Sequence, residues 1–447
     1  METKKELKIL IWISVIFGAA FFLPIESARF NTAIAATFDL VKWYAREHVV
    51  LCLLPAFFIA GVISIFVSQG SVLKYFGANA KKWLAYTVAS VSGTILAVCS
   101  CTILPLFSSI HKRGAGLGPA IAFLYSGPAI NILAIILTAR ILGVEMGIAR
   151  TIGAVAFSIV IGSAMSIIYR KEEKIKKDQQ MNIVPPPEKR PMWQTSFHFF
   201  TLILILVFAN WGAPSADETT GAWYFIWHYK WYITGIFGLF LAWSLISILK
   251  INWKWVLAAV LATGLSGLLA TTFIANPKLG PLVPMLVAIA SLSIITLYDK
   301  MDEDNREWTL SSWGFAKQIM PLLAVGVVTA GFLLGSTHDD VAIAGVIPGE
   351  WIAWLVGGNS VMANFFASIV GAFMYFATLT EVPILQGLIA SGMGKGPALA
   401  LLLAGPSLSL PNMLVIRGVM GTQKTIVYVI LVVVMATVSG LIYGTFF

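Results

Sequence analysis

The chain has 447 residues, of which 58% are hydrophobic and only 11% are charged. Soluble domains carry about 25% charged residues, so the composition excludes an ordinary soluble domain and is typical of a protein that crosses a membrane many times. The formal net charge is +9. Because the basic residues lie in short loops between apolar runs, the positive-inside rule explains this charge better than a nucleic-acid partner does.

The N-terminal region contains one apolar run and one mixed segment. The run at 7–23 begins among three lysines, and no small-residue cleavage site follows it closely. It is therefore predicted to be a retained first helix rather than a signal peptide. Residues 24–48 carry several charges and are expected to lie near the outer membrane interface. The predicted first unit, an N-terminal helix with an outer interfacial segment, spans 1–48.

The stretch from Cys99 to Asn131 organises the first half of the chain. Only about 10 residues separate Cys101 from the basic loop that follows Ile110, which is too few for a helix to span a hydrocarbon core of about 30 Å. Residues 83–110 are therefore predicted to form a hairpin whose return limb is a broken or half helix. Pro105 supplies the reason, because proline removes a backbone donor and clashes with the preceding turn.

The spacing of this stretch recurs late in the chain without a gap. Adding 278 to a residue number leads to its counterpart, a shift that we call the repeat offset. The matching pairs are Pro105 and Pro383, Gly118-Pro119 and Gly396-Pro397, Gly127-Pro128 and Gly405-Pro406, Thr102 and Thr380, and Asn131 and Ser409. A fixed offset over so long a run indicates an internal structural repeat. The two hairpins are therefore predicted to be equivalent parts of one architecture.

Charged segments divide the remaining chain. The predicted units are a first transmembrane repeat at 49–168, a cytoplasmic charged linker at 169–194, an intervening four-helix transmembrane segment at 195–297, a cytoplasmic linker at 298–317 and a second transmembrane repeat at 318–447. With the N-terminus in the cytoplasm, most of the 30 Lys and Arg residues fall on the cytoplasmic side.

This layout makes the first hairpin enter from the cytoplasm and the second from outside. The predicted fold is thus an all-α polytopic protein of the inner (cell) membrane. Its two inverted-topology repeats carry broken or re-entrant helix hairpins that meet near the middle of the membrane. That plan is typical of secondary transporters.

Cys99 and Cys101 are the first candidates for chemistry. Residues i and i+2 of a regular helix point about 200° apart, but in an extended turn of a broken hairpin they can converge. Thiolates bind soft ions preferentially, so the pair is a soft-ligand candidate, and Cys52 is a candidate third thiol if the second span lies beside the hairpin. The alternative is that all three are small buried hydrophobes that pack well.

Glu381 is the second candidate. It follows Thr380 and precedes Pro383 by two residues, in an apolar segment where an ionisable group is costly and indicates function by default. Proton coupling or pairing with a cation are its natural roles. The alternative is that it lies at the mouth of the hairpin, in water.

Polar residues flank the two Gly-Pro pairs. They are Ser126, Asn131, Ser407, Ser409 and Asn412. Such side chains either satisfy backbone groups freed by the prolines or line a cavity, because irregular backbone at membrane depth survives only in those two settings. Together with Thr102 and Thr380 they form the candidate lining of a substrate path.

A family resemblance rests on the same residues. They are Cys99-Ser100-Cys101, Pro105, the glycine loop at 114–118, the Ser-Gly-Pro-x-x-Asn run at 126–131 and Gly405-Pro406. The pattern resembles the YraQ-type predicted permeases, a family that includes the ArsP efflux permeases for trivalent organoarsenicals. The resemblance covers about 50–168 and 318–446, and the middle spans at 195–297 lie beyond the core of that family. It implies a polytopic permease whose Cys99 and Cys101 face the translocation path.

The combined prediction is a secondary-transporter-type permease, not an enzyme. It is expected to export a small thiophilic solute, such as a trivalent organoarsenical, through a path lined by the Cys-x-Cys hairpin. No Walker A pattern, dinucleotide fingerprint or His-Glu-x-x-His motif occurs, and no cofactor is expected. The expected partners are the lipid bilayer, a small-molecule or metalloid substrate and, as candidate coupling ion, a proton.

Three alternatives stay open at the level of the sequence. One is uptake of a small sulfur compound such as thiosulfate, and another is a transmembrane thiol-disulfide oxidoreductase. The oxidoreductase is disfavoured because Cys99 and Cys101 fall on Ala377 and Leu379 in the second copy and because a Cys-x-Cys disulfide closes a small strained ring. The third is a structural or assembly protein, whose packed cysteines would tolerate replacement by serine.

Overall fold

The computed structural model describes most of the chain. The described residues are 10, 13–14, 17–18, 21–66, 81–96, 100–112, 114–130, 132–181, 190–214, 220–274, 279–299, 302–338, 341–347, 355–374, 381–390 and 392–447. About half of the first predicted helix, 7–23, lies outside them. Within the described residues nearly all regular structure is helical, and the prediction of an all-α protein is confirmed.

Helices make up nearly all of the described residues in the first part of the chain. They are α1 (Ala28–Tyr44), a π-helical segment (Ala45–Leu53), α2 (Leu54–Ile65), α3 (Lys82–Leu96), α4 (Ser100–Lys112), α5 (Leu117–Ala129), α6 (Ile132–Ile141), α7 (Val144–Ile168) and α8 (Arg170–Met181). The side chain of Ser27 caps α1 by accepting a hydrogen bond from the Phe30 N–H. The turn before α7 contains Gly143 at φ 100°, a conformation that only glycine adopts without strain.

The later part of the described chain adds further helices and one small hairpin of strands. They are α9 (Met192–Ala209), α10 (Ala222–Ser247), α11 (Trp253–Phe273), α12 (Leu282–Leu297), α13 (Glu303–Leu334), β1 (Gly335–His338), β2 (Val341–Ala344), α14 (Val361–Phe373), α15 (Glu381–Ala390), α16 (Lys395–Leu408), α17 (Leu410–Met420) and α18 (Thr422–Phe446). The strands pair antiparallel, with Gly335 opposite Ala344. The Ser336 hydroxyl donates to the Asp39 carboxylate at 3.0 Å, which ties the hairpin to α1.

Seven helical runs in the described residues are long and apolar enough to cross a membrane, and the bent pair of α16 and α17 raises this number to eight. They are the continuous run from α1 to α2, then α7, α9, α10, α11, α13 and α18. The prediction of a multi-pass membrane protein is therefore confirmed. By contrast, α4 has 13 residues and α15 has 10. Their lengths of roughly 20 and 15 Å are too short for a crossing of about 30 Å.

The helix boundaries follow the sequence repeat. Helices α7 and α18 begin and end at equivalent residues under the repeat offset, and the starts of α5 and α16 and of α6 and α17 are equivalent too. The turns correspond as well, because Gly143 and Gly421 both have positive φ, as do Gly114 and Gly392. The same gapless offset therefore relates the local backbone of the two copies.

Equivalent glycine pairs form close helix crossings in both copies. A Cβ at Gly162 of α7 would lie 2.5 Å from the carbonyl oxygen of Gly118 in α5. A Cβ at Gly440 of α18 would lie 2.6 Å from the carbonyl oxygen of Gly396 in α16. Small residues let helix backbones approach in this way, so each copy is built on a tight crossing that a side chain would disrupt.

Both predicted linkers contain helices. The segment at 169–194 includes α8, and the segment at 298–317 includes the first turns of the 32-residue α13. Although the second linker is polar in composition, one face of its helix is buried. Trp308 on this face is 0% exposed, and its indole N–H donates to the Phe58 carbonyl at 2.8 Å. At the N-terminal side, helix α1 likewise continues through the π-helical segment into α2, across the predicted boundary at 48.

Each Gly-Pro span is divided into two helices. In the first copy, α5 ends at Ala129 and α6 begins at Ile132. In the second copy, α16 and α17 meet at Ser409 with a bend of 47°. Pro128 and Pro406 lie inside the last turns of α5 and α16. Each proline removes one hydrogen bond to the preceding turn, which weakens the helix end, so the break follows a few residues later.

The middle four helices dock on the first copy and on α13. The Nδ1 atom of buried His198 in α9 lies 2.6 Å from the Ser244 hydroxyl of α10, and its ring packs edge-on against Trp308 at 5.1 Å. The Asn210 amide donates to the Leu51 carbonyl at 2.9 Å. Large apolar side chains such as Phe273, 82% exposed, lie on the outer surface. This layer therefore extends the face that contacts lipid.

Candidate functional site

Two half helices carry five of the residues that the sequence singles out, namely Cys101, Thr102, Pro105, Glu381 and Pro383. Helix α4 begins at Ser100 and contains Pro105 in its interior. The return limb is a half helix, one of the two forms predicted for it, and Pro105 does not interrupt it, because the hydrogen bond that this proline removes belongs to Cys101 in the first turn and the helix continues to Lys112. Helix α15 begins at Glu381 and has Pro383 in its first turn, where a helix needs no backbone donor.

The half helices exchange contacts between the copies. Helix α4 of the first copy packs against α17 of the second, and α15 of the second packs against α6 of the first. These two contacts are equivalent under the repeat offset. The broken segments of the two copies thus interlock.

A buried ion pair lies where α15 meets the first copy. The Nη2 atom of Arg150 in α7 is 2.5 Å from the Oε1 atom of Glu381, and the two side chains are 0% and 1% exposed. Glu381 is the first residue of α15, where the helix dipole favours a negative charge. The carboxyl group therefore does not lie in open water at the mouth of the hairpin.

Arg150 makes two further hydrogen bonds within the first copy. Its Nε donates to the carbonyl oxygen of Ala129 at 3.1 Å, and its Nη1 donates to the Thr138 hydroxyl at 2.9 Å. The Thr138 hydroxyl in turn donates to the Ala134 carbonyl at 2.6 Å. One guanidinium group thus contacts the end of α5, the middle of α6 and the start of α15.

A buried pair of this kind adds little to stability. Replacing such a pair by apolar residues of similar volume is often neutral or stabilising, whereas removing one partner leaves a buried charge and costs about 3–5 kcal/mol. Ionisable groups at membrane depth in transport proteins commonly mark substrate or ion pathways. The Arg150–Glu381 pair therefore marks the candidate functional centre of the described residues.

Two of the candidate serines join helices. The Ser126 hydroxyl donates to the Ala89 carbonyl at 3.0 Å, which links α5 to α3. The Ser407 hydroxyl donates to the Tyr125 carbonyl at 3.2 Å, which links α16 to α5. Each hydroxyl already satisfies a backbone carbonyl, so both serve helix packing in this conformation.

Ser409 and Asn412 differ from these serines. They flank the bend between α16 and α17 and are 3% and 2% exposed. Within the described chain, the hydroxyl oxygen of Ser409 and the amide oxygen of Asn412 have no hydrogen-bond partner. Buried polar atoms without hydrogen-bond partners are uncommon and need an explanation. One explanation is that a polar group of a bound solute is their partner.

The cysteine hairpin is described only in part. Cys99, Asn131 and Thr380 lie outside the described residues, while Cys101 and Thr102 lie in the first turn of α4. Cys52 is buried in the π-helical segment, which contacts α4. Among the described side chains, no three His, Cys, Asp or Glu residues are grouped as metal ligands.

Arg150 is the functional candidate that the sequence analysis does not single out. The signal was available, because Arg150 falls inside the mainly apolar stretch 148–168, and a charge at membrane depth indicates function as much as Glu381 does. Near the end of a predicted span, however, an arginine is also typical of an interfacial anchor. Only packing shows that its side chain points into the protein.

The comparison with known proteins is consistent with this architecture. A protein-family model, ArsP_1, described as a predicted permease, matches residues 34–445. The chain belongs to the ArsP_1 family. Several relatives carry UPF0718 names. Protein MJ0584 of Methanocaldococcus jannaschii is 40% identical over 428 residues, 95% of this chain and 97% of that protein. Protein YraQ of Escherichia coli is 35% identical over 139 residues, 31% of this chain and 35% of that protein.

Membership in ArsP_1 confirms the resemblance to YraQ-type permeases. The match runs through 195–297, so the expectation that the middle helices lie beyond the family core is wrong. No solved structure matches this chain. This ArsP_1 protein is thus a multi-pass membrane protein and a transporter-type permease.

Proposed function

We propose that this ArsP_1 permease is a secondary transporter of the cell membrane that exports a small thiophilic solute, such as a trivalent organoarsenical. The observation that carries the transporter mechanism is the buried Arg150–Glu381 pair between two interlocked half-helix systems. The Cys-x-Cys motif carries the substrate class, because thiolates bind soft ions preferentially. Coupling to a proton at Glu381 would supply the driving force.

Inverted repeats are part of this proposal. Tyr125 and Leu403 are equivalent residues, and the Tyr125 hydroxyl donates to the Leu403 carbonyl at 3.3 Å. Under two-fold pseudosymmetry, a residue meets its own equivalent only beside the axis, and contacts away from the axis occur in reciprocal pairs. The reciprocal packing of α4 on α17 and of α15 on α6 fits that arrangement. With the N-terminus in the cytoplasm, the two hairpins would then enter from opposite sides.

The proposed path runs between the half helices. Cys101 in the first turn of α4 and Cys99, two positions before it in the chain, would hold the soft atom, and Cys52 would add a third sulfur from the neighbouring π-helical segment. Ser409 and Asn412 would contact polar groups of the solute. The proposed lining also includes Thr102, Asn131 and Thr380.

The test is transport of a trivalent methyl- or phenylarsenical into everted membrane vesicles. The intact permease is compared at equal expression with Cys99→Ser, Cys101→Ser and, for the proposed third thiol, Cys52→Ser. We expect accumulation by the intact protein, its loss in the first two variants and a smaller reduction in the third. Accumulation that survives both substitutions would disprove the cysteine path while keeping the transporter.

Failure of the intact protein to accumulate the arsenical would remove that substrate. Uptake of thiosulfate by right-side-out cells would then support the inward alternative. A reversible two-electron oxidation of Cys99 and Cys101 with no solute movement would support the oxidoreductase instead.

A further inference from the structure

Arg150 is placed to link the two copies mechanically. Its guanidinium group contacts Glu381 of α15, the Ala129 carbonyl at the end of α5 and the Thr138 hydroxyl of α6. We infer that Arg150 is a positioning residue through which the charge of Glu381 controls the break between α5 and α6. The physiological meaning of this inference rests on the proposed transport function.

The two hydrogen bonds of Arg150 lie on opposite sides of the break. Ala129 is the last residue of α5, so its carbonyl belongs to the final turn, whose carbonyls lack intrahelical partners. Thr138 lies two turns into α6, and its own proton already goes to Ala134. A single rigid, planar group therefore holds the two helix segments at a set distance and angle.

The second copy has no equivalent arginine bridging the helices on either side of its break. Under the repeat offset, Arg150 corresponds to Tyr428, Glu381 to Ile103 and Thr138 to Ile416. Within the described residues, the Tyr428 hydroxyl and the Ser409 hydroxyl beside the second break have no hydrogen-bond partner. One of two equivalent breaks is thus held by a charge, and the other is not.

Neutralising Glu381 would remove the charge that holds Arg150 in contact with Ala129 and Thr138. Without the carboxylate, the guanidinium becomes an uncompensated buried charge, which is strongly unfavourable. It then has to move towards water or another anion, and it would release Ala129 and Thr138 as it moves. The α5–α6 break would open as a consequence.

Other charges do not take the place of Glu381 here. Lys395 on the neighbouring α16 and Glu145 at the start of α7 are both exposed. The side chain of Arg140 on α6 lies outside the described part, and as a cation it could not replace the carboxylate. Arg150 is therefore the charged side chain paired with Glu381 among those described.

Hydrogen–deuterium exchange of the full-length protein in lipid nanodiscs tests the inference without any substrate. Glu381→Gln is compared with the unmodified protein and with Glu145→Gln, an exposed carboxylate at the start of α7. We expect amides of 132–138 to exchange roughly 10-fold faster in Glu381→Gln, as the loss of charge-assisted hydrogen bonds requires. Amides of 410–420 at the second break should be unchanged, and Glu145→Gln should match the unmodified protein.

Arg150→Lys separates charge from geometry. Lysine keeps the positive charge for Glu381 but presents one ammonium group, which cannot reproduce the fork that reaches Ala129 and Thr138 together. We expect the same fast exchange at 132–138 in this variant, with α15 as protected as before. Unchanged exchange at 132–138 in Glu381→Gln would overturn the inference, and so would equal acceleration in all helices, which indicates a purely structural pair. Because no solute is added, failure of arsenical transport would not affect either outcome.

Discussion

Arg150 and Glu381 show how much one pair of side chains depends on its surroundings. Each alone would be a costly buried charge, and together they compensate each other at 2.5 Å. Their position between the copies makes them sensitive to any relative movement of α7 and α15. The pair is therefore better suited to respond to a relative movement of α7 and α15 than to stabilise the fold.

The stability of single and double variants at this site should be strongly non-additive. Arg150→Met leaves Glu381 buried without a counter-charge and should lower the free energy of unfolding by about 3–5 kcal/mol. Adding Glu381→Leu removes that charge too and should restore most of the loss. Thermal unfolding in detergent, followed by intrinsic fluorescence, measures both. Equal destabilisation in the double variant would mean that packing rather than charge dominates.

Glu381→Gln should separate exchange from coupled transport. Glutamine mimics the protonated carboxyl, so solute bound on one side can still exchange for solute on the other. Accumulation driven by an imposed pH gradient should be lost, because no proton can be released from this position. Counterflow and gradient-driven transport in the same proteoliposomes provide the comparison. Full gradient-driven accumulation would rule out Glu381 as the coupling site.

At the level of elements, glycine crossings fix how the helices of each copy pack. A Cβ at Gly440 would lie 2.2 Å from the Asn364 side-chain oxygen and 2.6 Å from the Gly396 carbonyl. The amide side chain could move, but the carbonyl belongs to the backbone of α16. Helices α16 and α18 would then have to separate along their length.

Gly440→Ala should destabilise the protein by about 1–3 kcal/mol, the usual effect of overpacking. The matched control is Gly264→Ala on α11, where no atom lies within 4 Å of the new methyl group. That change should be neutral or stabilising by up to about 1 kcal/mol, because alanine is the better helix former. The melting temperature of Gly440→Ala should fall, whereas that of Gly264→Ala should stay unchanged or rise; an unchanged melting temperature for Gly440→Ala would contradict the close crossing.

At the level of the whole molecule, the central prediction is that the two copies cross the membrane in opposite directions. Val144 and Thr422 are equivalent first residues of α7 and α18, and both are exposed. If the repeats are inverted, they lie on opposite sides of the membrane. The Val144→Cys variant should react with an impermeant maleimide in intact cells, and Thr422→Cys only after permeabilisation. Labelling of both under one condition would show a parallel arrangement.

Local features of the chain predict local structure well. The prolines and glycines that recur at the repeat offset correspond to helix ends and positive-φ turns in both copies. The charged composition of 298–317 predicts a linker, yet Trp308 and its neighbours form a buried helical stripe there. Composition averages over a segment, whereas burial is decided one helix face at a time, so the linker prediction did not anticipate this helix.

The sequence by itself determined the membrane class, the repeat and the candidate residues Cys99, Cys101 and Glu381, because hydropathy, turn residues and intramembrane charge act locally along the chain. Only the tertiary structure decided which groups meet. Arg150 becomes the partner of Glu381, while Ser126 and Ser407 become helix-packing contacts. The physical reason is that pairing depends on which helix faces are opposed, and partners such as Arg150 and Glu381 come from distant parts of the chain.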